Sequence, residues 1–242
     1  MRLMLLGMTL ACLGLAVSAG AQGFDLNMFG EPVAPLQPTP SWYGSTGMVR
    51  TPSAEIGAPL KLSGGIHRVD LDDNQQDLYC ANVAVLADLE VGGAVINDII
   101  PPGAAAYVSE TILNAKYRLP LESAFGLGNL PQVAIGIWDA SDRINRTYYI
   151  VASKTLSLAK DRPAMGLKLH AGLGSGEIGE GPLHGLFGGV EFAPFTGALV
   201  QAEYDAENVN LAFRYSPFSW LSADVASIDG DFGWGVSVQS TF

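Results

Sequence analysis

The chain has 242 residues, with 24 acidic against 13 basic side chains and a formal net charge of −11. That balance argues against a nucleic-acid surface, which needs clustered Lys and Arg. Only 15% of residues are charged and mean hydropathy is +0.24, yet beyond the N-terminal segment no apolar run is long enough for a spanning helix. The apolar residues must fill a very large soluble core or sit in short strands that each give half their side chains to lipid.

Residues 1–21 have the layout of a secretory signal. Arg2 is the positive start, Leu3 to Val17 is almost wholly apolar, and Ala19-Gly-Ala21 offers small residues for cleavage before Gln22. Cys12 raises a lipoprotein alternative, but Thr9-Leu10-Ala11 is a poor lipidation box and apolar residues follow the cysteine. Cleavage before Gln22 leaves Cys80 as the one thiol, so no intrachain disulfide holds the fold. Residues 22–41, with Pro32, Pro35, Pro38 and Pro40, form a Pro-rich linker or periplasmic tail, or a segment tucked into a lumen.

From Trp42 to Phe242 the pattern is strand, turn, strand, with Gly, Pro, Asn and Asp at the breaks. In chain order the strand segments are Gly44–Thr51, Leu60–His67, Tyr79–Ala87, Leu89–Val95, Glu110–Arg118, Gln132–Asp139 and Thr147–Leu156. Gly166–Leu173, Leu186–Ala193, Ala198–Asp205, Asn208–Tyr215, Leu221–Ile228 and the last stretch from Trp234 follow. This is twelve or thirteen strands. Barrels of this kind have even strand counts, so the expectation is all-β: a single antiparallel up-and-down transmembrane β-barrel of about 12 strands (10–14) over residues 42–242.

The period of two assigns faces. In Asn208–Tyr215, Val209, Leu211, Phe213 and Tyr215 oppose Asn208, Asn210 and Arg214. In Gly166–Leu173 the leucines oppose Lys168 and His170, and in Ala198–Asp205 the small and apolar residues oppose Glu203 and Asp205. On the same logic Lys61, His67, Glu90, Glu110, Lys116, Arg118, Glu191 and Asp224 join the polar face, which in a barrel faces the lumen. Charges of both signs there would pair and hydrogen-bond. The final stretch puts Trp234, Val236, Val238 and Phe242 on one face, as in the closing strand read by barrel-assembly machinery. Aromatic residues cluster toward strand ends, among them Trp42, Tyr43, Trp138, Tyr149, Tyr204, Trp220 and Trp234. Such rings suit a membrane–water boundary.

Other motifs carry little chemistry. Gly174-Ser-Gly176-Glu-Ile-Gly179 spells GxGxxG, but Gly181-Pro182 follows and no helix can begin there. Asp70-Leu-Asp72-Asp73-Asn74 lacks the glycine and the terminal Glu of a calcium loop. His67, His170 and His184 are scattered, and no Ser stands in a nucleophile elbow. No catalytic residue, cofactor or metal is expected.

Trp42-Tyr-Gly-Ser-Thr-Gly-Met-Val-Arg-Thr-Pro-Ser-Ala54, followed by Leu60–His67, resembles the opening of the YjbH-like family. Leu89-Glu-Val-Gly92, Leu113–Arg118, Gly188–Phe192 with Ala202–Asp205, and Asn208–Tyr215 are similar to later strands of that family. The resemblance implies a Gram-negative outer-membrane barrel concerned with exopolysaccharide export or envelope polysaccharide assembly. Its partners would be outer-membrane lipid, the barrel-assembly machinery and exopolysaccharide or other export components, with no nucleic acid. Better-known members are much longer than this chain. Two alternatives stand beside it: a small diffusion porin or structural barrel, and a soluble secreted carbohydrate-binding β-protein.

Overall fold

A computed structural model of the chain describes residues 37–71, 74–99, 108–121, 130–157, 166–177 and 182–240. The signal-like segment, most of the Pro-rich stretch, the end of the GxGxxG segment and Phe242 lie outside them. Twelve strands are formed: β1 Leu62–Leu71, β2 Asn74–Leu86, β3 Leu89–Ile99, β4 Val108–Leu119, β5 Gln132–Trp138 and β6 Thr147–Ser157. Then come β7 Gly166–Ser175, β8 His184–Ala193, β9 Ala198–Tyr204, β10 Val209–Phe218, β11 Leu221–Ile228 and β12 Asp231–Gln239. Each strand pairs antiparallel with its chain neighbour, and β1 pairs with β12. The fold is a closed up-and-down β-barrel, so no strand edge is left open.

Side-chain alternation produces two surfaces of opposite character. On β12, Trp234, Val236 and Val238 are exposed, at 39%, 40% and 52%, while Gly233, Gly235 and Ser237 turn inward. On β10, Val209 and Leu211 face out, and Asn210 and Arg214 are buried. Leu113, Ile135, Ile150 and Leu173 continue the apolar exterior around the ring. A one-residue slip would exchange these faces, so the polar–apolar alternation fixes register.

The barrel has two mouths. β1 begins and β12 ends at the near mouth. At the far mouth, Asp229 and Gly230 join β11 to β12 with φ of +54° and +90°. Positive φ at both central residues is the two-residue hairpin turn whose twist matches its strands. At the same mouth the β9–β10 turn is tied by Asn208 N–H donating to Asp205 Oδ1 at 2.8 Å.

Two expectations need correction. Gly44–Thr51 is no strand of the wall: it makes only isolated bridges, Pro40 with Thr46 and Gly47 with Pro52, and lies buried inside the barrel. The closed ring has no place for it. Gly44 takes φ +76°, Pro52 offers no donor, and β1 and β12 already satisfy each other. Trp42, Tyr43, Trp138 and Tyr149 are likewise not at a boundary; they are buried in the interior. Tyr204, Trp220 and Trp234 do remain on the exterior.

Gly230 has open space where a Cβ would stand, so Gly230→Ala isolates the backbone cost of its φ. It should destabilise the barrel by about 1–2 kcal/mol, read as a shift in the urea unfolding midpoint with an unchanged slope.

Candidate functional site

Residues 40–56 fill the lumen. The segment makes two excursions toward the far mouth, one reaching Trp42 and Tyr43 and one reaching Arg50, and returns toward the near mouth after each. Its positions follow from its wall partners. Trp42 lies against Gly233 near the start of β12, Thr46 against Glu90 near the start of β3, Arg50 against Asp205 just after β9, and Glu55 against Lys168 near the start of β7.

The wall holds this segment largely by its backbone. Glu203 on β9 accepts from the N–H groups of Val49 (3.2 Å), Arg50 (2.8 Å) and Thr51 (3.2 Å), and from the Thr51 hydroxyl (2.9 Å). Glu90 on β3 accepts from Thr46 N–H at 2.7 Å and from its hydroxyl. Lys116 Nζ donates to the Thr46 carbonyl at 2.8 Å, Asn114 Nδ2 to the Tyr43 carbonyl, and Ala54 N–H to Ser153 Oγ at 2.8 Å. An irregular backbone buried in a barrel has no other way to satisfy its polar groups.

Glycines on the wall make the room. A Cβ on Gly92 would strike the Gly44 carbonyl, and one on Gly189 would strike the Met48 methyl. One on Gly233 would stand 2.7 Å from the Trp42 ring. Side-chain ion pairs complete the seat: Arg50 Nη1 lies 2.8 Å from Asp205 Oδ2, and Lys168 pairs with Glu55. The Arg50 guanidinium also lies 5.6 Å from the centre of the Tyr43 ring.

The residues assigned to the lumen from sequence fall as follows. Glu90, Lys116, Lys168, Glu191, Glu203, Asp205, Arg214 and Asp224 are all buried on the inner side. Within the wall itself Lys116 pairs with Glu90 at 3.3 Å, Lys168 with Glu191 at 3.4 Å, and Arg214 with Asp224 at 2.8 Å. His170 Nδ1 shares a 2.7 Å hydrogen bond with Ser153 Oγ. Arg118 is part-exposed beside the β2–β3 turn and pairs with Asp88 at 2.8 Å. Lys61 sits half-buried just before β1, where burial lowers its pKa. Glu110 lines the far mouth.

His67 is fully buried beneath the Trp42 ring, stacked at 4.7 Å between centroids. Its Nε2 lies 3.4 Å from Ser237 Oγ and 3.6 Å from Cys80 Sγ, and its Nδ1 lies 3.4 Å from Asp224 Oδ2. The residue types are those of a nucleophile, base and carboxylate set, but the indole covers the imidazole and leaves no approach for a substrate. Cys80 is pushed by burial into a packing role. Gly65 and Gly235 complete the recess, since a Cβ on either would collide with the imidazole.

Above the segment, at the far mouth, is a cavity of about 400 Å³. Its lining includes Trp42, Tyr43, Arg50 and Trp138, and the carboxylates Asp98, Glu110, Asp229 and Asp231.

Sequence reasoning missed that residues 42–56 are the occupant and not a strand. It also missed Asn82 and Ser153 as polar partners. One signal was present: Gly92, Gly189, Gly233 and Gly235 fall on inward positions, where a barrel filling itself would place bulk.

No family model matches the chain, and no curated protein matches it. Nothing in these comparisons supports the YjbH-like resemblance. Among solved structures it is similar to "KdgM porin", with a TM-score of 0.46 and 11% identity over 75% of this chain and 99% of that one. It is also similar to "KdgM porin in complex with disordered oligogalacturonate", with a TM-score of 0.44 and 11% identity over 74% of this chain and 99% of that one.

Glu203→Gln keeps the shape but removes the charge behind four hydrogen bonds. It should weaken docking of the segment by about 1–3 kcal/mol. Hydrogen exchange should quicken at the Val49, Arg50 and Thr51 amides and stay unchanged along β5 and β6.

Proposed function

We propose that the chain is an outer-membrane β-barrel of the small-porin or structural-barrel kind, exported with a cleavable signal and closed at rest by its own residues 40–56. One observation carries this reading: the barrel is inside out for a water-soluble protein. Its exterior is a belt of Leu, Ile, Val and aromatic residues, while its interior holds the buried ionised groups beside an apolar cluster that includes Leu78, Ile112 and Phe187. A soluble monomer rarely exposes a contiguous apolar patch beyond a few hundred Å². In a bilayer the same belt is favourable, and closure of the ring satisfies every strand's backbone without water.

Outer-membrane lipid is then the partner of the exterior, and the closing strand with Trp234, Val236 and Val238 is what the assembly machinery would engage. The same belt argues against a soluble secreted carbohydrate-binding protein. Polymer export is the poorer reading, because a polysaccharide needs a continuous conduit and the conduit here is occupied. The lumen-facing charges support the barrel and hold its occupant; nothing about them asks for catalysis.

The reading is tested by extraction and mobility. Membranes of a Gram-negative host should release the protein only with detergent, and the unheated protein should migrate differently from the boiled one. A freely water-soluble, monodisperse product would refute it. Leu211→Arg or Val236→Arg should cost about 2–4 kcal/mol of stability in vesicles if those residues meet lipid near the midplane. The same substitution at solvent-exposed Glu207 should cost little.

A further inference from the structure

We infer that residues 40–56 are a removable stopper and that the passage beneath it prefers cations, selected by Glu203 and Asp205. This rests on the membrane-barrel reading and goes beyond it.

The first ground is how the segment is held. Its polar anchors are hydrogen bonds and ion pairs, groups that water can replace, and its apolar anchors are Trp42 and Met48 in their notches with the smaller buried side chains Val49, Ala54 and Ile56. No disulfide ties it to the wall, since the one cysteine among the described residues is free. The segment is no strand of the ring, and the twelve strands close without it. Its departure therefore breaks no β-ladder.

The second ground is width. The segment doubles back, with bridges between Pro40 and Thr46 and between Gly47 and Pro52. Paired backbones lie about 4.8 Å apart, so with side chains they span on the order of 10 Å. Twelve strands also lie between the eight of a self-filled barrel and the sixteen of an open pore. The vacated space admits hydrated ions.

The third ground sets the selectivity. When the segment leaves, the three fully buried wall cations each keep a wall carboxylate: Lys116 keeps Glu90, Lys168 keeps Glu191, and Arg214 keeps Asp224. Among the described residues three buried carboxylates have no such cation: Asp139, which keeps the amides of Arg143, Ile144 and Asn145 whether or not the segment is present, and two that the segment itself satisfies. Glu203 loses three backbone donors and one hydroxyl and keeps Asn210. Asp205 loses Arg50 and keeps Asn210 and its turn amides. Both lie toward the far mouth. There the cavity carries the carboxylates of Asp98, Glu110, Asp229 and Asp231, and Arg50 is the one basic residue in its lining. Removing the stopper removes that guanidinium too. A narrow mouth whose uncompensated charges are all of one sign concentrates the opposite ion.

The test uses the full-length chain in planar bilayers with KCl. Trp42→Ala with Arg50→Glu empties the Gly233 notch and sets a carboxylate against Asp205, without touching a strand. This variant should conduct far more than wild type. Its reversal potential in a salt gradient should report a several-fold preference for potassium, and adding Glu203→Gln and Asp205→Asn should lower that preference at least twofold. A variant with normal heat-modifiable mobility that conducts no more than wild type overturns the stopper, and an open state without cation preference overturns the selectivity. Failure of wild type to show heat-modifiable mobility refutes the barrel reading itself, a separate result. Should the release variant not fold, Ala54→Cys with Ser153→Cys in a Cys80→Ala chain gives the reverse arm. Openings seen only after reduction support the stopper; identical traces oxidised and reduced overturn it.

Discussion

A ring of twelve strands is wider than its own inward side chains can fill, and this constraint governs everything within the barrel. The protein meets it with residues 40–56. Once a stretch of irregular backbone occupies the lumen, each of its N–H and C=O groups needs a partner, because an unpaired buried amide costs about 1–3 kcal/mol. Glu203 and Glu90 are placed where the amides of Val49, Arg50, Thr51 and Thr46 converge. Their charge is tolerable because it is used several times over. Lys116 joins the two demands, reaching both the Glu90 carboxylate and the Thr46 carbonyl.

The same constraint explains the chemistry of the interior. Buried ions are costly unless paired, and removing one member of such a pair costs about 3–5 kcal/mol. Here the cations Lys116, Lys168 and Arg214 each stand against a carboxylate on a neighbouring strand or on the segment. Glycine has an unusual duty in this setting. In a soluble core an inward glycine wastes packing volume. On this wall Gly92, Gly189 and Gly233 are the contours into which Gly44, Met48 and Trp42 fit. Gly235 does the same for His67, which in turn supports the Trp42 ring.

The barrel was readable from sequence because alternation is a local property. Val209 and Leu211 against Asn210 and Arg214 declare two faces with no knowledge of the partner strand. The hairpin at Asp229-Gly230 declares itself through the residue types that tolerate positive φ. The inner segment was not readable, because its structure is decided by groups far away in the chain. Thr46 is satisfied by Glu90, and Thr51 by Glu203, 152 residues later. Within Gly44–Thr51 nothing local separates a strand from an occupant. The aromatics misled for a related reason. Trp138 and Tyr149 occupy inward positions of β5 and β6, where ring size answers the need for bulk and not the need for an interface.

Trp42 also couples two events during biogenesis. Its ring rests on His67 of β1 and against Gly233 of β12, the two strands of the seam. The segment bearing that indole precedes β1 in the chain, whereas β12 is the last of the described strands. Seating the indole and zipping the seam therefore bury the same ring, so each event favours the other.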